Sequence, residues 1–235
     1  MSGEIKALIF DVFGSVVDWR SGIIREGEAV GRRLGIEIDW AAFADGWRDL
    51  YQPSMQRIRD GGRGFVKLDV LHRENLVEML EKFGIDGLDE AEIDDFNLAW
   101  HKLDPWPDSV EGLTRLKSKY IIATQSNGNV ALMVNMAKRA GLPWDVILGA
   151  EVVGHYKPQP QSYLNACAML GLAASEVMMS AAHNADLVAA RECGLRTAFF
   201  PRHEQGPGQT TDLEAEHDFD CVASDIIDLA RQLGC

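Results

Sequence analysis

The sequence predicts an α/β protein: a doubly wound sheet of parallel strands, interrupted after its first strand by a helical insertion. Short apolar runs of strand length recur along the chain, and most lead directly into polar residues. Segments with apolar residues at helical spacing separate these runs, and such alternation builds a parallel sheet with helices on both faces. Residues from about 16 to 105 keep the helical spacing and lose the strand pattern.

Ile5–Phe10 opens the pattern as an apolar run broken only by Lys6 and followed by Asp11, with a Gly14-Ser15 turn just beyond. A strand covered on both faces reads this way, and ligands of open α/β sheets bind at the carboxyl ends of such strands. Asp11 is therefore expected at the mouth of a site, although an acidic helix cap would read the same.

In the insertion, Ile23–Leu34, Trp40–Arg59, Leu68–Phe83 and Ala91–Leu103 carry helical spacing, punctuated by Gly35, Gly61-Gly62-Arg63-Gly64 and Gly84–Gly87. The glycines at 61–64 follow no strand and precede no Gly-Lys-Ser/Thr, so they read as an interhelical turn and not as a phosphate loop. Pro105-Trp106-Pro107 marks the return from the insertion. Beyond it, helices are expected at Val110–Ser118, Val130–Ala140, Gln161–Leu170, Leu187–Cys193 and Asp225–Leu233. Strands are expected at Tyr120–Ala123, Trp144–Leu148, Val177–Ser180, Thr197–Phe200 and Asp220–Val222, with a loop at Gln205–Thr211. Gly141, Gly171 and Gly194 follow three of these helices, where a left-handed stop is common. The expected division is a core of 1–15 with 106–235, and an inserted helical unit of 16–105.

A hydrophobic content of 46% without any apolar run near 20 residues fits a globular chain and gives no expectation of a membrane span. The Met1–Glu4 start shows no basic region followed by an apolar one, so no leader is expected. Cys167, Cys193, Cys221 and Cys235 are scattered singly, which suits reduced thiols in a cytoplasm. The formal charge of −13 argues against nucleic acid and anionic membranes as partners. An anionic substrate would need a local pocket of particular Lys and Arg residues.

The polar residues just beyond the strands form an ordered series: Asp11 and Ser15, then Ser126 and Asn127, then Lys157, then His183, Asn184 and Asp186. Taken singly, each has a plainer reading as a turn residue, helix cap or surface charge. Parallel strands would bring them to one sheet edge.

With this order of Asp, Ser, Lys and Asp, the chain resembles the haloacid dehalogenase superfamily over nearly its whole length. Asp11 matches the nucleophile of the first motif, Ser126 the second, Lys157 the third and Asp186 the fourth. The insertion falls where the family's helical-cap subgroup has its cap, on a Rossmann-like core. Phosphatases of the superfamily carry a second Asp two residues after the nucleophile as general acid, and this chain has Phe13 there. An alkoxide leaves slowly without a proton, whereas a halide leaves without one. Asp11-x-Phe13-Gly14-Ser15, Ser126-Asn127-Gly128 and the Tyr156-Lys157-Pro158…Tyr163 stretch resemble the type II 2-haloacid dehalogenase branch.

The resemblance implies hydrolytic dehalogenation of short 2-haloacids through an ester on Asp11. Lys157 would keep the carboxylate ionised, Ser15 and Ser126 would hold the substrate carboxylate, and Asp186 would orient or deprotonate the water. Arg48, in Gly46-Trp47-Arg48, would bind substrate or halide, with Asn127 and Asn184 at the site and Phe13, Phe65, Tyr51 and Trp47 walling the halogen pocket. The fourth motif departs from the branch: Ala185 stands for a Trp, and His183 stands at an Asn position and could share the hydrolytic role. Branch members act without a metal, so no cofactor is expected, although Asp11 and Asp186 could offer two oxygen ligands. A homodimer is plausible by likeness. The alternatives are a Mg²⁺-dependent phosphatase lacking the second Asp, and a non-catalytic binding module of the same fold.

Overall fold

The computed structural model describes residues 4–203, 205–206 and 208–235. Residues 1–3 and Pro207, which carry parts of the N-terminal and 205–211 loop expectations, lie outside the described residues.

The sheet has six parallel strands: β1 (Ala7–Phe10), β4 (Ile121–Ser126), β5 (Val146–Gly149), β6 (Val177–Ala181), β7 (Arg196–Phe199) and β8 (Cys221–Val222), in the order β5-β4-β1-β6-β7-β8. β1 lies between β4 and β6, with Phe10 opposite Thr124 on one side and Ser180 on the other. Its side chains alternate between two cores: Leu8 and Phe10 join one hydrophobic cluster, Ala7 and Ile9 the other. That double burial is why β1 reads as an unbroken apolar run. After β5 the chain crosses to the far side of β1 to start β6, so strand order reverses around β1. The crevice at the carboxyl ends of β4, β1 and β6 is the place such sheets offer to ligands.

The helical segment leaves and rejoins the core through a two-stranded antiparallel ribbon, β2 (Val17–Asp18) with β3 (Asp104–Pro105). Asp18 caps α1 (Trp19–Leu34) through Ser21 N, and Gly35 ends it in a left-handed conformation. The single helix expected over Trp40–Arg59 is two, α2 (Trp40–Asp49) and α3 (Tyr51–Arg59), meeting at Leu50. Pro53 has no N–H to offer the carbonyl of Asp49, which accounts for the break. α4 (Leu68–Lys82) and α5 (Glu90–Asn97) follow, and the expected 91–103 helix tightens to a 3-10 turn at Leu98–His101. Trp40, Phe43, Trp47, Phe96 and Trp100 pack this segment together by edge and stacked contacts.

The helical segment is tied to the sheet side by specific bonds. The Tyr156 hydroxyl donates to Val66 O at 2.7 Å, and Asn129 exchanges hydrogen bonds with Asp69, donating from Nδ2 to Oδ2 and accepting from its N–H. The core helices are α6 (Ser109–Lys117), α7 (Val130–Ala140), α8 (Ala150–Val153), α9 (Pro160–Met169), α10 (Asn184–Glu192) and α11 (Ile226–Gln232). No helix among the described residues is long and apolar enough to cross a membrane.

Candidate active site

Asp11 follows β1 directly and is buried, 7% exposed. Its two oxygens have different partners. Oδ1 accepts from Lys157 Nζ at 2.8 Å. Oδ2 accepts from Ser15 Oγ at 2.6 Å and faces His183 Nδ1 at 2.8 Å. Ser15 Oγ in turn accepts from Ala182 N at 2.9 Å, so the hydroxyl donates in one direction only. Gly14 makes the turn possible: its φ is +83°, and a Cβ there would lie 2.2 Å from Gln205 Oε1. A buried ion pair braces the same turn, with Arg202 gripping both oxygens of Asp108 and donating from Nε to Ser15 O.

Lys157 lies in the loop after α8, held by its N–H to Asn127 Oδ1 at 2.9 Å. Its ammonium bridges Asp11 and Asp186 Oδ2. Asp186 sits in the first turn of α10, one turn inside the loop where the sequence placed it, and its other oxygen accepts from Tyr163 Oη at 2.5 Å. Burial pushes the Asp11 carboxyl up, but Lys157 and His183 together hold it well below the usual range. Burial pulls the Lys157 ammonium down, and the two carboxylates more than reverse this, so it stays charged. Asp186 is pushed up, by burial and by the neighbouring Asp11 charge. His183 is pulled down by burial but ends raised, through its hydrogen bond and charge contact with Asp11. Its Nε2 lies 3.1 Å from Gln205 Oε1, an acceptor, so both ring nitrogens carry hydrogen when they face these oxygens.

These groups lie at the inner end of a cavity of about 690 Å³ lined by Asp11, Phe13, Arg48, Tyr51, Lys157 and His183, together with Asn127, Ala185, Asp186 and others. Phe13 is buried against Tyr51 and Trp100, ring centroids 6.3 and 5.7 Å away. The Arg48 guanidinium lies 4.1 Å over the Tyr51 ring, and its buried Nη1 has no hydrogen-bond partner among the described residues. An unmatched buried donor of this kind costs free energy until an acceptor arrives.

Several expected positions need correction. Phe65 does not wall the cavity: it is 39% exposed and stacks on Tyr156, 5.3 Å between centroids. Trp47 is fully buried and donates to His72 O, inside the helical segment. Asn184 turns away, its amide bound to Asp212 Oδ1, Glu214 O and Glu216 N, where it pins a loop. Ser15 and Ser126 are buried outside the cavity lining, and their hydroxyls are engaged by Asp11 and by Gly128 N. Neither serine lines the cavity. Sequence reasoning passed over Arg59, Gln205 and Asp212, and gave Tyr163 no role. Only Tyr163, inside the stretch after Lys157, carried a signal that could have found it.

The Lys157 ammonium bridges Asp11 and Asp186, so a divalent cation between these carboxylates would have to share their oxygens with a fixed positive charge. Among the described residues no cluster of three or more His, Cys, Asp or Glu is arranged to hold one.

The chain has relatives of known structure and sequence. The crystal structure of the defluorinating L-2-haloacid dehalogenase Rha0230 superposes with a TM-score of 0.96 at 52% identity, covering 98% of this chain and 96% of that one. That of the L-2-haloacid dehalogenase PA0810 gives 0.94 at 50% identity, covering 98% and 99%. The (S)-2-haloacid dehalogenase 4A of Burkholderia cepacia is 27% identical over 221 residues, 88% of this chain and 87% of its own length. A sequence model of haloacid dehalogenase-like hydrolases matches residues 5–194, from the run-in to β1 through the end of α10. The chain therefore belongs to the haloacid dehalogenase-like hydrolase family.

Proposed function

We propose that the protein hydrolyses short 2-haloacids to 2-hydroxy acids through an ester on Asp11, with residues 16–105 as a cap over the site. The observation that carries this reading is the unequal occupation of the Asp11 oxygens. Each carboxylate oxygen has two lone pairs. Oδ2 spends both on Ser15 and His183, while Oδ1 spends one on Lys157 and keeps one free. Oδ1 is the attacking atom. It forms a bond to C2 of the acid from the side opposite the halogen, the carbon–halogen bond breaks, and the halide leaves with the electron pair. Configuration at C2 inverts.

Oδ2 then becomes the carbonyl oxygen of the ester, still held by two donors. Water attacks Cγ, and the charge that develops on Oδ2 is met by the Ser15 hydroxyl and the His183 N–H, an oxyanion hole in place before the reaction begins. Asp186 takes the water's proton. Its raised affinity for a proton suits a base, and Lys157 and Tyr163 fix its position. Collapse breaks the Cγ–Oδ1 bond: the 2-hydroxy acid leaves with Oδ1 and takes the proton held by Asp186, and the oxygen of the water stays on Cγ to restore the Asp11 carboxylate, whose remaining proton passes to solvent. Arg48, with an unmatched donor in the cavity wall, receives the substrate carboxylate or the halide.

Phe13 favours carbon–halogen over phosphate-ester cleavage. It stands where a leaving alkoxide would need an acid, and it offers none. All four cysteines are free, which supports a reducing compartment such as the cytoplasm.

The test is halide release from chloroacetate and from each enantiomer of 2-chloropropionate with EDTA present, using Asp11→Asn as control. Release that requires Asp11 and survives EDTA is expected. No release from any of the three, with Mg²⁺-dependent phosphate release from phosphate esters, would replace this reading with a phosphatase.

A further inference from the structure

We propose that the outer part of the cavity is a second anion subsite centred on Arg59, so that the preferred substrates are 2-halodicarboxylic acids. This rests on the dehalogenase reading and names its substrate class. The cavity, at about 690 Å³, is of a size that encloses drug-sized ligands. A three-carbon acid held at Asp11 fills only its inner end.

One face of α3 forms the long wall. Tyr51, Gln52, Gln56 and Arg59 all line the cavity, and the helix rises about 12 Å from the first to the last. Tyr51 meets Phe13 at the inner end, and Arg59 stands at the outer end. Ala185 adds only a methyl group to the opposite wall.

Charge distinguishes Arg59 from a plain surface residue. In a chain of formal charge −13, the hydrogen bonds of its guanidinium among the described residues all go to uncharged acceptors, and the neighbouring Asp60 acts on it only through its charge. Nε donates to Gln56 Oε1 at 2.9 Å and Nη1 to Lys157 O at 2.9 Å, while Nη2 reaches Gln52 Oε1 only at 3.4 Å. The carboxylates that line the cavity are already engaged: Asp11 and Asp186 by Lys157, Asp212 by Asn184. A planar fork of donors without an acid is suited to a carboxylate from outside. The amides of Gln52 and Gln159 can donate to its remaining lone pairs, while that of Gln56 is taken up by Asp60 Oδ1 at 2.6 Å.

The spacing is fixed by a single residue. Lys157 accepts from Arg59 at its carbonyl and donates to Asp11 from its ammonium. The separation of the two anchoring points is therefore bounded by one lysyl side chain and two hydrogen bonds, a range that includes the length of a dicarboxylic acid.

The experiment measures kcat/KM for halide release from 2-bromoglutarate and from 2-bromobutyrate, with wild type, Arg59→Gln and Arg59→Lys. Calorimetry of glutarate and butyrate binding accompanies it. The ratio of the two substrates is the readout, because it cancels any effect of Arg59 passed through the Lys157 carbonyl. Wild type is expected to favour bromoglutarate through a lower KM. Arg59→Gln should cut that preference about 10- to 100-fold, the worth of a charged hydrogen-bonded contact, and Arg59→Lys should keep part of it. Glutarate should bind wild type more tightly than butyrate does, and lose that advantage in Arg59→Gln. Equal ratios in wild type and Arg59→Gln, or no advantage of glutarate, would overturn the subsite. Arg59-dependent glutarate binding without halide release would remove the dehalogenase reading and leave the subsite standing.

Discussion

The imidazole Nδ1 of His183 lies 2.8 Å from Oδ2 of Asp11, on the oxygen that Lys157 does not touch. The carboxylate is thus polarised from two directions: an ammonium on one oxygen, and an imidazole with a serine hydroxyl on the other. Before attack this arrangement keeps Asp11 ionised. After attack the same contacts have a second use, since the oxygen between Ser15 and His183 is the one that becomes an oxyanion.

If His183 supplies that donor, His183→Ala should slow ester hydrolysis more than ester formation. Loss of one oxyanion donor costs about 10²- to 10³-fold. The covalent ester on Asp11 should therefore accumulate and be seen by mass spectrometry of acid-quenched protein. His183→Asn, which keeps an N–H, should recover part of the rate. The pH dependence has a definite sign. His183 must keep its proton to donate at Nδ1 while Nε2 faces Gln205, so hydrolysis should fall as pH rises through the His183 pKa, and that limb should vanish in His183→Asn. Failure of the ester to accumulate in His183→Ala would return the residue to a structural role.

Lys157 is the shared counter-charge of two buried carboxylates. Removing one partner of a buried ionic cluster costs about 3–5 kcal/mol, because the remaining charges are left unmatched. Lys157→Met is expected to lower the urea unfolding free energy by that order at neutral pH, and adding Asp186→Asn should restore part of it. The deficit should shrink in acid, where a carboxylate of the pair takes up a proton. In wild type the sign is opposite: Asp11 is held below its unfolded pKa, so its contribution is present above that value and is lost as pH falls through the folded one. Unchanged stability of Lys157→Met would mean that other donors carry the charge of Asp11.

Much of this arrangement was legible in the sequence because it follows from strand burial. β1 is apolar throughout since both faces are covered, and the residue after it must lie at the sheet edge, so Asp11 could be placed from pattern alone. The sequence does not reveal which way a hydroxyl points. Ser15 is four residues after Asp11, and only the turn at Gly14 shows that it faces the carboxylate and not the cavity. Nor does helical spacing locate a break: the face of α3 that aligns Tyr51 with Arg59 exists because Pro53 ends α2 early. Phe65 illustrates the opposite error, an aromatic residue assigned to a pocket when a neighbouring ring, Tyr156, takes it up. Asn184 and Asp212 meet across a loop, and no local pattern announces a partner 28 residues away.

Phe13 gives a test of why this branch differs from its phosphatase relatives. Phe13→Asp would place a carboxyl against Tyr51, His72 and Trp100. Losing a buried Phe costs about 3–5 kcal/mol before the polar group is counted. The variant is expected to unfold at lower temperature and to gain no Mg²⁺-dependent hydrolysis of phosphate esters, because the surrounding rings give the new carboxyl no partner to hold it in place. Phe13→Leu should keep dehalogenation with a smaller loss of stability. Phosphatase activity in Phe13→Asp would show that one side chain separates the two chemistries.

His72 lies between Tyr51 and Trp100, fully buried, with its ring 4.3 Å from that of Trp100 and no hydrogen-bond partner on either nitrogen among the described residues. Burial pushes its pKa down from 6.5 to about 3. The folded protein therefore binds this proton less readily than the unfolded chain does. Stability should fall as pH drops from 6.5 toward 3, by on the order of 4 kcal/mol for this group. His72→Phe replaces the ring with one of similar shape that has nothing to protonate, and substitution of an unpaired polar group in this way is near neutral or stabilising. At pH 7.5 the variant should match wild type closely in urea unfolding. At pH 5 it should be the more stable of the two, with a flatter curve between. Parallel curves for the two proteins across that range would mean that His72 finds a partner for its proton within the folded state.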